Sequence, residues 1–205
     1  MKKFVAFALL LIAAFSIYWF ILRPKNNPVQ EEKQQAIAVK KHSEGFNNSI
    51  DRLMNAYFSV KDAFVEADTV KAKENTRLFI SLLDSIPVAE LNKDSLMIAE
   101  TAKLTIVDLK ANALSLLQQT NITEMRQDFR TLSDMLYPGF FKVINYEGPS
   151  LFLQNCPMAF GSDKDANWIS NSNEVINPYL GKNHPEFNAT MLNCGEVKDS
   201  IVNSK

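Results

Sequence analysis

The residues best equipped for chemistry are four sulfur-bearing side chains near the C-terminus. Cys156 and Cys194 are the only two cysteines in the chain, and each has a methionine close by, Met158 two positions after the first and Met191 three before the second. Two thiolates with two thioethers form a soft donor set that selects Cu(I), or its heavier relative Ag(I), among common metals. The same two cysteines in an oxidising compartment would instead close a structural disulfide, worth about 3 to 4 kcal/mol in the chain-entropy account. Two unlinked buried thiols are the third alternative. The states can be coupled, since reduction would turn the bridge into the donor pair. Taken singly, Met158 and Met191 are ordinary core fillers, and only their placement beside the cysteines raises them.

Two further side chains are accessory candidates. Trp168 is expected to plug the C-terminal region onto the rest of the chain, and its indole face over a bound cation would add about 0.5 to 2 kcal/mol. His184, next to Pro185, is expected in an exposed loop, where its ring nitrogen is a candidate extra ligand. Asn167, Asn177 and Tyr179 read as hydrogen-bonding turn residues, and Gly181 and Gly195 as points of backbone freedom.

Other chemistries lack their parts. The sequence has no Gly-x-Gly-x-x-Gly or phosphate loop and no Gly-x-Ser-x-Gly elbow. Two histidines, His42 and His184, are too few for a multi-histidine zinc site, and nothing supplies a triad. The acidic residues are spread along helix faces without forming a catalytic couple, so no enzyme is expected and no cofactor other than the soft metal. Twenty-two basic against twenty-three acidic residues give a net charge of -1, which offers no field for nucleic acid.

The elements that must position the sulfur atoms read as mainly α: an antiparallel four-helix bundle with an irregular C-terminal cap, preceded by one N-terminal transmembrane helix. Residues 1–23 form the anchor, because Phe4 to Leu22 is uncharged and long enough to cross a bilayer as a helix before Arg23-Pro24-Lys25 stops it. The apolar run that follows Ala14-Phe15-Ser16 argues for an uncleaved anchor rather than a removed signal. Long domains after a first apolar segment translocate largely regardless of flanking charge, which places the remainder outside the cytoplasm. Residues 24–45 read as a polar stalk, with His42 exposed in it.

Residues 46–145 carry the helical period. Ile50, Leu53, Tyr57, Val60 and Phe64 mark one face, with Asp51, Lys61 and Asp62 off it. Asp68 is placed to cap a second helix with Val70, Phe79, Leu82, Leu83 and Ile86 inward, ended by Pro87. A third runs from about Asp94 to Gln119 on Leu96, Ala99, Ile106, Leu109, Ala113 and Leu116. A second row, Leu104, Val107, Leu114 and Leu117, makes it the most buried. A fourth follows the caps of Thr120-Asn121-Ile122-Thr123, with Met125, Phe129, Leu132 and Leu136 inward, and is kinked or ended by Pro138-Gly139. Residues 146–205 form the cap; Phe140 to Asn155 reads as a helix end followed by a short strand or a loose hairpin, and Glu196 to Asn203 as a short closing helix.

Cys156-Pro157-Met158-Ala159-Phe160, Ala166-Asn167-Trp168-Ile169-Ser170, Glu174-Val175-Ile176-Asn177-Pro178-Tyr179-Leu180-Gly181 and Met191-Leu192-Asn193-Cys194-Gly195-Glu196-Val197 together resemble the C-terminal signature of the DUF3347 family. Tyr57 to Phe64 and Arg130-Thr131-Leu132-Ser133 are similar to its helical part. The resemblance spans roughly residues 50 to 200. The family comprises bacterial envelope domains found alone or fused to periplasmic adaptor subunits of heavy-metal efflux systems. It implies a single-pass protein of the bacterial inner membrane, its domain facing the periplasm, that binds Cu(I) or Ag(I) and buffers it or delivers it to an efflux adaptor or metallochaperone. The metal ligands would be Cys156, Met158, Met191 and Cys194. The alternative is a non-metal envelope interaction module closed by a Cys156–Cys194 disulfide. Two departures stand out: Asn155 replaces the histidine or polar aromatic residue common before the first cysteine, and Lys182 to Thr190 lengthens a normally short connection. That insertion brings in His184 and either adds a nitrogen ligand or holds the two sulfur pairs apart.

Overall fold

Ser43 starts the first helix among the described residues with its own side chain. Its hydroxyl accepts the Phe46 N–H at 3.1 Å, satisfying one of the orphan donors that every helix start leaves open, and Glu44 puts a carboxylate in the first turn. A computed structural model of the chain describes residues 37–202 apart from Val39. These residues belong to a unit spanning 35–205. The expected anchor over 4–22 and most of the stalk lie outside the described residues. Among those described, no helix is long and apolar enough to cross a membrane.

Helix α1 runs Glu44–Val65, and its expected face, Ile50, Leu53, Tyr57, Val60 and Phe64, is wholly buried. Asp68 caps α2, Thr69–Leu83, by accepting from Lys71 N–H at 2.9 Å. A 3-10 segment, Val88–Lys93, leads to α3, Leu96–Gln118, capped by Ser95, and Asn121 caps α4, Ile122–Asp134. These helices pack in chain order, α1 on α2, α2 on α3 and α3 on α4. The rings of Tyr57 and Phe64 meet Phe129 at 5.0 and 5.2 Å, joining α1 to α4. The chain then kinks through a π-type turn, Met135–Phe140, in which Tyr137 is extended ahead of Pro138, and closes with the short α5, Phe141–Ile144.

Several expectations fail, each for a local reason. The second row of α3 is not buried: Leu104, Val107 and Leu114 are 64%, 57% and 48% exposed, and Leu96 at its start more so. The neighbours of α3 cover a narrower seam, Ala99, Ala102, Ile106, Leu109, Ala113 and Leu116, whose alternating steps of three and four are the heptad stripe of close helix pairs. Val70, at the start of α2, is likewise exposed, whereas Lys61 is buried beside Phe58 and Asp62. His42 is not an exposed histidine. Its ring stacks on Phe46 at 4.3 Å, its Nε2 bonds the Ile144 carbonyl oxygen, and its Nδ1 lies 3.8 Å from Glu90.

The cap is not irregular but built on a sheet. Strands β1, Leu151–Cys156, β2, Ala166–Ser170, and β3, Glu196–Ile201, form an antiparallel sheet in the order β2-β1-β3. The last of these replaces the short helix expected near the C-terminus. Residues 196–201 lie on an edge of the sheet and are exposed or half-buried, where backbone pairing to β1 supplies hydrogen bonds without a buried helix face.

One hydroxyl joins helices to sheet. Tyr57 lies within the buried face of α1; its oxygen accepts the Ile169 N–H of β2 at 3.0 Å and bonds Ser133 Oγ at 2.6 Å, while Ser133 donates onward to the Phe129 carbonyl at 2.9 Å. Burial raises the Tyr57 pKa far above the usual phenol range, so the group stays neutral. Tyr57→Phe would leave the Ile169 N–H buried without an acceptor, and urea denaturation should show a loss of about 1 to 3 kcal/mol with little change in m-value.

A second tie is electrostatic. Burial alone would raise the Glu90 carboxyl, but hydrogen bonds from the Ser43 hydroxyl and N–H and from Lys93 hold it at about 2. Because the folded value is depressed, this contribution is present above the unfolded carboxylate range and is lost as pH falls toward 2. The stability difference between the parent chain and Glu90→Gln should therefore shrink steadily between about pH 5 and pH 2 in denaturation measured across that window.

Candidate functional site

The register of the sheet brings the two cysteines together. In the β1–β3 ladder Asn155 pairs with Glu196, so Cys156 at the end of β1 and Cys194 just before β3 arrive on the same side of one strand boundary. Their Sγ atoms are 2.7 Å apart. Cys156 is fully buried and Cys194 half-buried. Burial, then the hydrogen bond to Cys156 and its charge, push the Cys194 thiol well above its ordinary pKa.

Asn177 holds the second cysteine in place. Its side-chain oxygen accepts the N–H groups of Tyr179 and Leu180 at 2.8 and 3.0 Å, its side-chain nitrogen donates to the Cys194 carbonyl at 2.8 Å, and its backbone N–H donates to Leu192 O. A tight turn then returns Cys194 N–H to Met191 O at 3.0 Å. Gly195 follows at φ +138, where a Cβ would lie 2.6 Å from Asn155 O and 2.9 Å from the Trp168 ring, so only glycine fits between the thiol and the strand. Asn155, which stands where the resembled family commonly has a histidine or polar aromatic residue, donates to Asp165 ahead of β2 and to Asn167 within it.

The sequence-derived candidates divide into two places. Cys156 and Cys194 meet, and Met191 sits half-buried in the turn leading to Cys194. Trp168 is fully buried in β2 and meets Tyr179 edge-on, which makes it the plug between sheet and helices. Met158, in the turn after β1, instead lines a cleft of about 460 Å³ together with His184. The insertion does not hold the cysteines apart. Its start is fastened to the C-terminal end of α1, where Lys182 N–H donates to Val65 O at 2.7 Å and Asn183 donates to Glu66 O at 2.9 Å. This sets His184 half-buried against the Phe187 ring, with Nδ1 accepting the N–H groups of Glu186 and Phe187. Burial first, then Arg126, lower its pKa, so at neutral pH the ring is uncharged with its proton on Nε2. Among the described residues no group of three or more His, Cys, Asp or Glu is arranged to hold a metal.

The residue that sequence reading missed is Arg126. It sits on the inward side of α4, 3% exposed, between the core positions Met125 and Phe129, and lines the same cleft. Its Nη2 donates to the Phe64 carbonyl at 2.8 Å. The signal was a lone arginine four positions after Ile122 and three before Phe129, on the apolar side of a helix.

A family model described as "Protein of unknown function (DUF3347)" matches residues 53–143. Those residues are a DUF3347 domain. The match covers the helices from within α1 to within α5 and ends before the sheet, so it does not extend to the C-terminal residues on which the resemblance rested in the sequence. No curated protein and no solved structure matches the chain.

Asn177→Ala should cost about 2 to 4 kcal/mol in urea denaturation, because it orphans two buried N–H groups and frees the Cys194 carbonyl. The same variant should expose Cys194 to alkylation faster than the parent chain under reducing conditions, read by mass spectrometry.

Proposed function

We propose that this DUF3347 protein is a non-catalytic binding module of the bacterial envelope whose cap is clasped by a Cys156–Cys194 disulfide. The observation that carries this reading is the 2.7 Å approach of two thiols from positions 38 residues apart in the chain. A metal held between two thiolates, each at about 2.3 Å, would spread them nearer 4 Å. Bridge formation needs a two-electron oxidant, supplied as the disulfide of an envelope thiol oxidoreductase: its two sulfurs leave as thiols while the Cys156–Cys194 bond forms. The apolar run over 4–22 would tether the domain to the inner membrane with the cap in the oxidising periplasm.

A second reading belongs to the reduced state. Two adjacent thiols with Met191 in the turn beside them are a soft donor cluster for Cu(I) or Ag(I), which the protein would buffer or pass to an efflux adaptor or metallochaperone. Met158, opening on the cleft, would have to turn back to complete that set, and Trp168 would shield it.

Alkylation of the unfolded chain without reductant, read by mass spectrometry, should find neither cysteine modified. Reductant should lower the melting temperature by on the order of 10 °C, and Cys156→Ser with Cys194→Ser should melt at that lower value regardless of reductant. Free thiols in chain purified from the envelope would sink the clasp. For the reduced state, the parent chain should bind Cu(I) more tightly than the double serine variant by at least tenfold; equal affinity would remove the metal reading.

A further inference from the structure

Arg126 is buried without a counter-charge. It forms no ion pair among the described residues, its Nε has no hydrogen-bond partner, and the only acceptor shown for it is the Phe64 carbonyl near the C-terminal end of α1. The partial negative charge of a helix end offsets about half a unit at most. Desolvation lowers the Arg126 pKa to about 10, which still leaves it cationic at neutral pH. Buried charges are ordinarily paired, because leaving one alone costs several kcal/mol. Here the unpaired cation lines a cleft instead.

The cleft has the character of a ligand site. Its volume, about 460 Å³, falls within the ~300 to 1,000 Å³ range of small-molecule pockets. Apart from Arg126 its walls are largely apolar and aromatic: Met158 and Phe160 from the turn after β1, Tyr179 and Leu180 after Asn177, and Phe187 from the insertion. Phe160 meets Tyr179 edge-on at 5.3 Å, so this wall is itself packed. Polar groups are few. Thr123 comes from the first turn of α4, the positive end of that helix, and uncharged His184 retains a donor at Nε2. Glu186 is the one carboxylate on the lining; it is exposed to solvent and makes no ion pair with Arg126.

We propose that this cleft binds a small organic monoanion, a carboxylate carried on an aromatic or aliphatic body. The carboxylate would supply the acceptor and counter-charge that Arg126 lacks, in the planar two-pronged geometry that guanidinium favours over a point cation. The body would lie against Phe160, Tyr179 and Phe187. A single buried cation with no second positive side chain on the lining fits one negative charge rather than a polyanion. Neither cysteine lines the cleft, so the carboxylate site does not require the bridge; Met158 is the one lining residue shared with the metal reading.

Isothermal titration of the full chain with sodium benzoate, 4-phenylbutanoate and octanoate, each against its neutral amide, tests the proposal. At least one carboxylate should bind with a Kd at or below ~1 mM, and its amide at least tenfold more weakly. Arg126→Met, which keeps the length of the buried stem, should lose at least tenfold in carboxylate affinity while circular dichroism stays helical. Ser162→Trp, at an exposed position on the lining, leaves Arg126 in place and should abolish binding by filling the mouth; it decides the question if the arginine variant does not fold. No heat from any carboxylate up to ~10 mM overturns the proposal. So does equal binding of acid and amide, or binding that survives both substitutions.

Discussion

The Tyr57 hydroxyl is the interaction on which the arrangement of this domain depends. It bonds α1, α4 and the sheet at once, accepting from a strand N–H and donating toward a serine whose own proton is committed to the Phe129 carbonyl. Each member has its donor and acceptor roles fixed by the next, so the network is fully satisfied and therefore specifies a single relative placement of helices and sheet. Trp168 and Tyr179 fill the space beside it, and the Tyr179 hydroxyl donates to the Asn167 carbonyl in β2. What the cap presents to solvent is set from this buried contact outward.

Thiol pair and cleft are parts of one construction. Every residue lining the cleft except Thr123 and Arg126 lies between Cys156 and Cys194 in the chain. The segment leaves the sheet at the first cysteine, forms the aromatic wall, fastens to the end of α1 through Lys182 and Asn183, and returns at the second. Joining its ends restricts the conformations open to that wall when it is not packed, while the helical framework contributes the fixed cation. The DUF3347 match covers only the framework side of this division.

Legibility in the sequence followed how local each signal was. Asp68 and Asn121 act within a few residues of themselves, so the starts of α2 and α4 could be placed, whereas the equally local caps Ser43 and Ser95 were not named; the one-face periodicity of α1 and α4 named their core positions correctly. In α3 apolar residues occupy more positions than the fold needs. Composition there suggested a wide stripe, whereas the strict alternation of three and four through Ala99, Ala102, Ile106, Leu109, Ala113 and Leu116 carried the true seam. Strand β2 is five residues with Trp168 and Ile169 between polar turns, a strand pattern that was legible but went unread beside so many asparagines. His42 could not be placed from its neighbours in sequence, because what it bonds lies about a hundred residues away; Arg126 was marked by its place on the apolar side of α4, but its acceptor at the end of another helix was not. The convergence of Cys156 and Cys194 is of the same kind, a product of strand register across 38 positions.

The unequal burial of the two cysteines gives a bridge between them a direction. An incoming thiolate meets the half-buried Cys194 first, while Cys156, at the end of β1, is fully buried. Exchange would thus join the visitor to Cys194, with the electron pair of the broken bond departing on Cys156 sulfur. The inner thiolate, still adjacent, is then placed to expel the visitor and restore the original link, so any covalent partner is held on one side only and for as long as the inner sulfur permits.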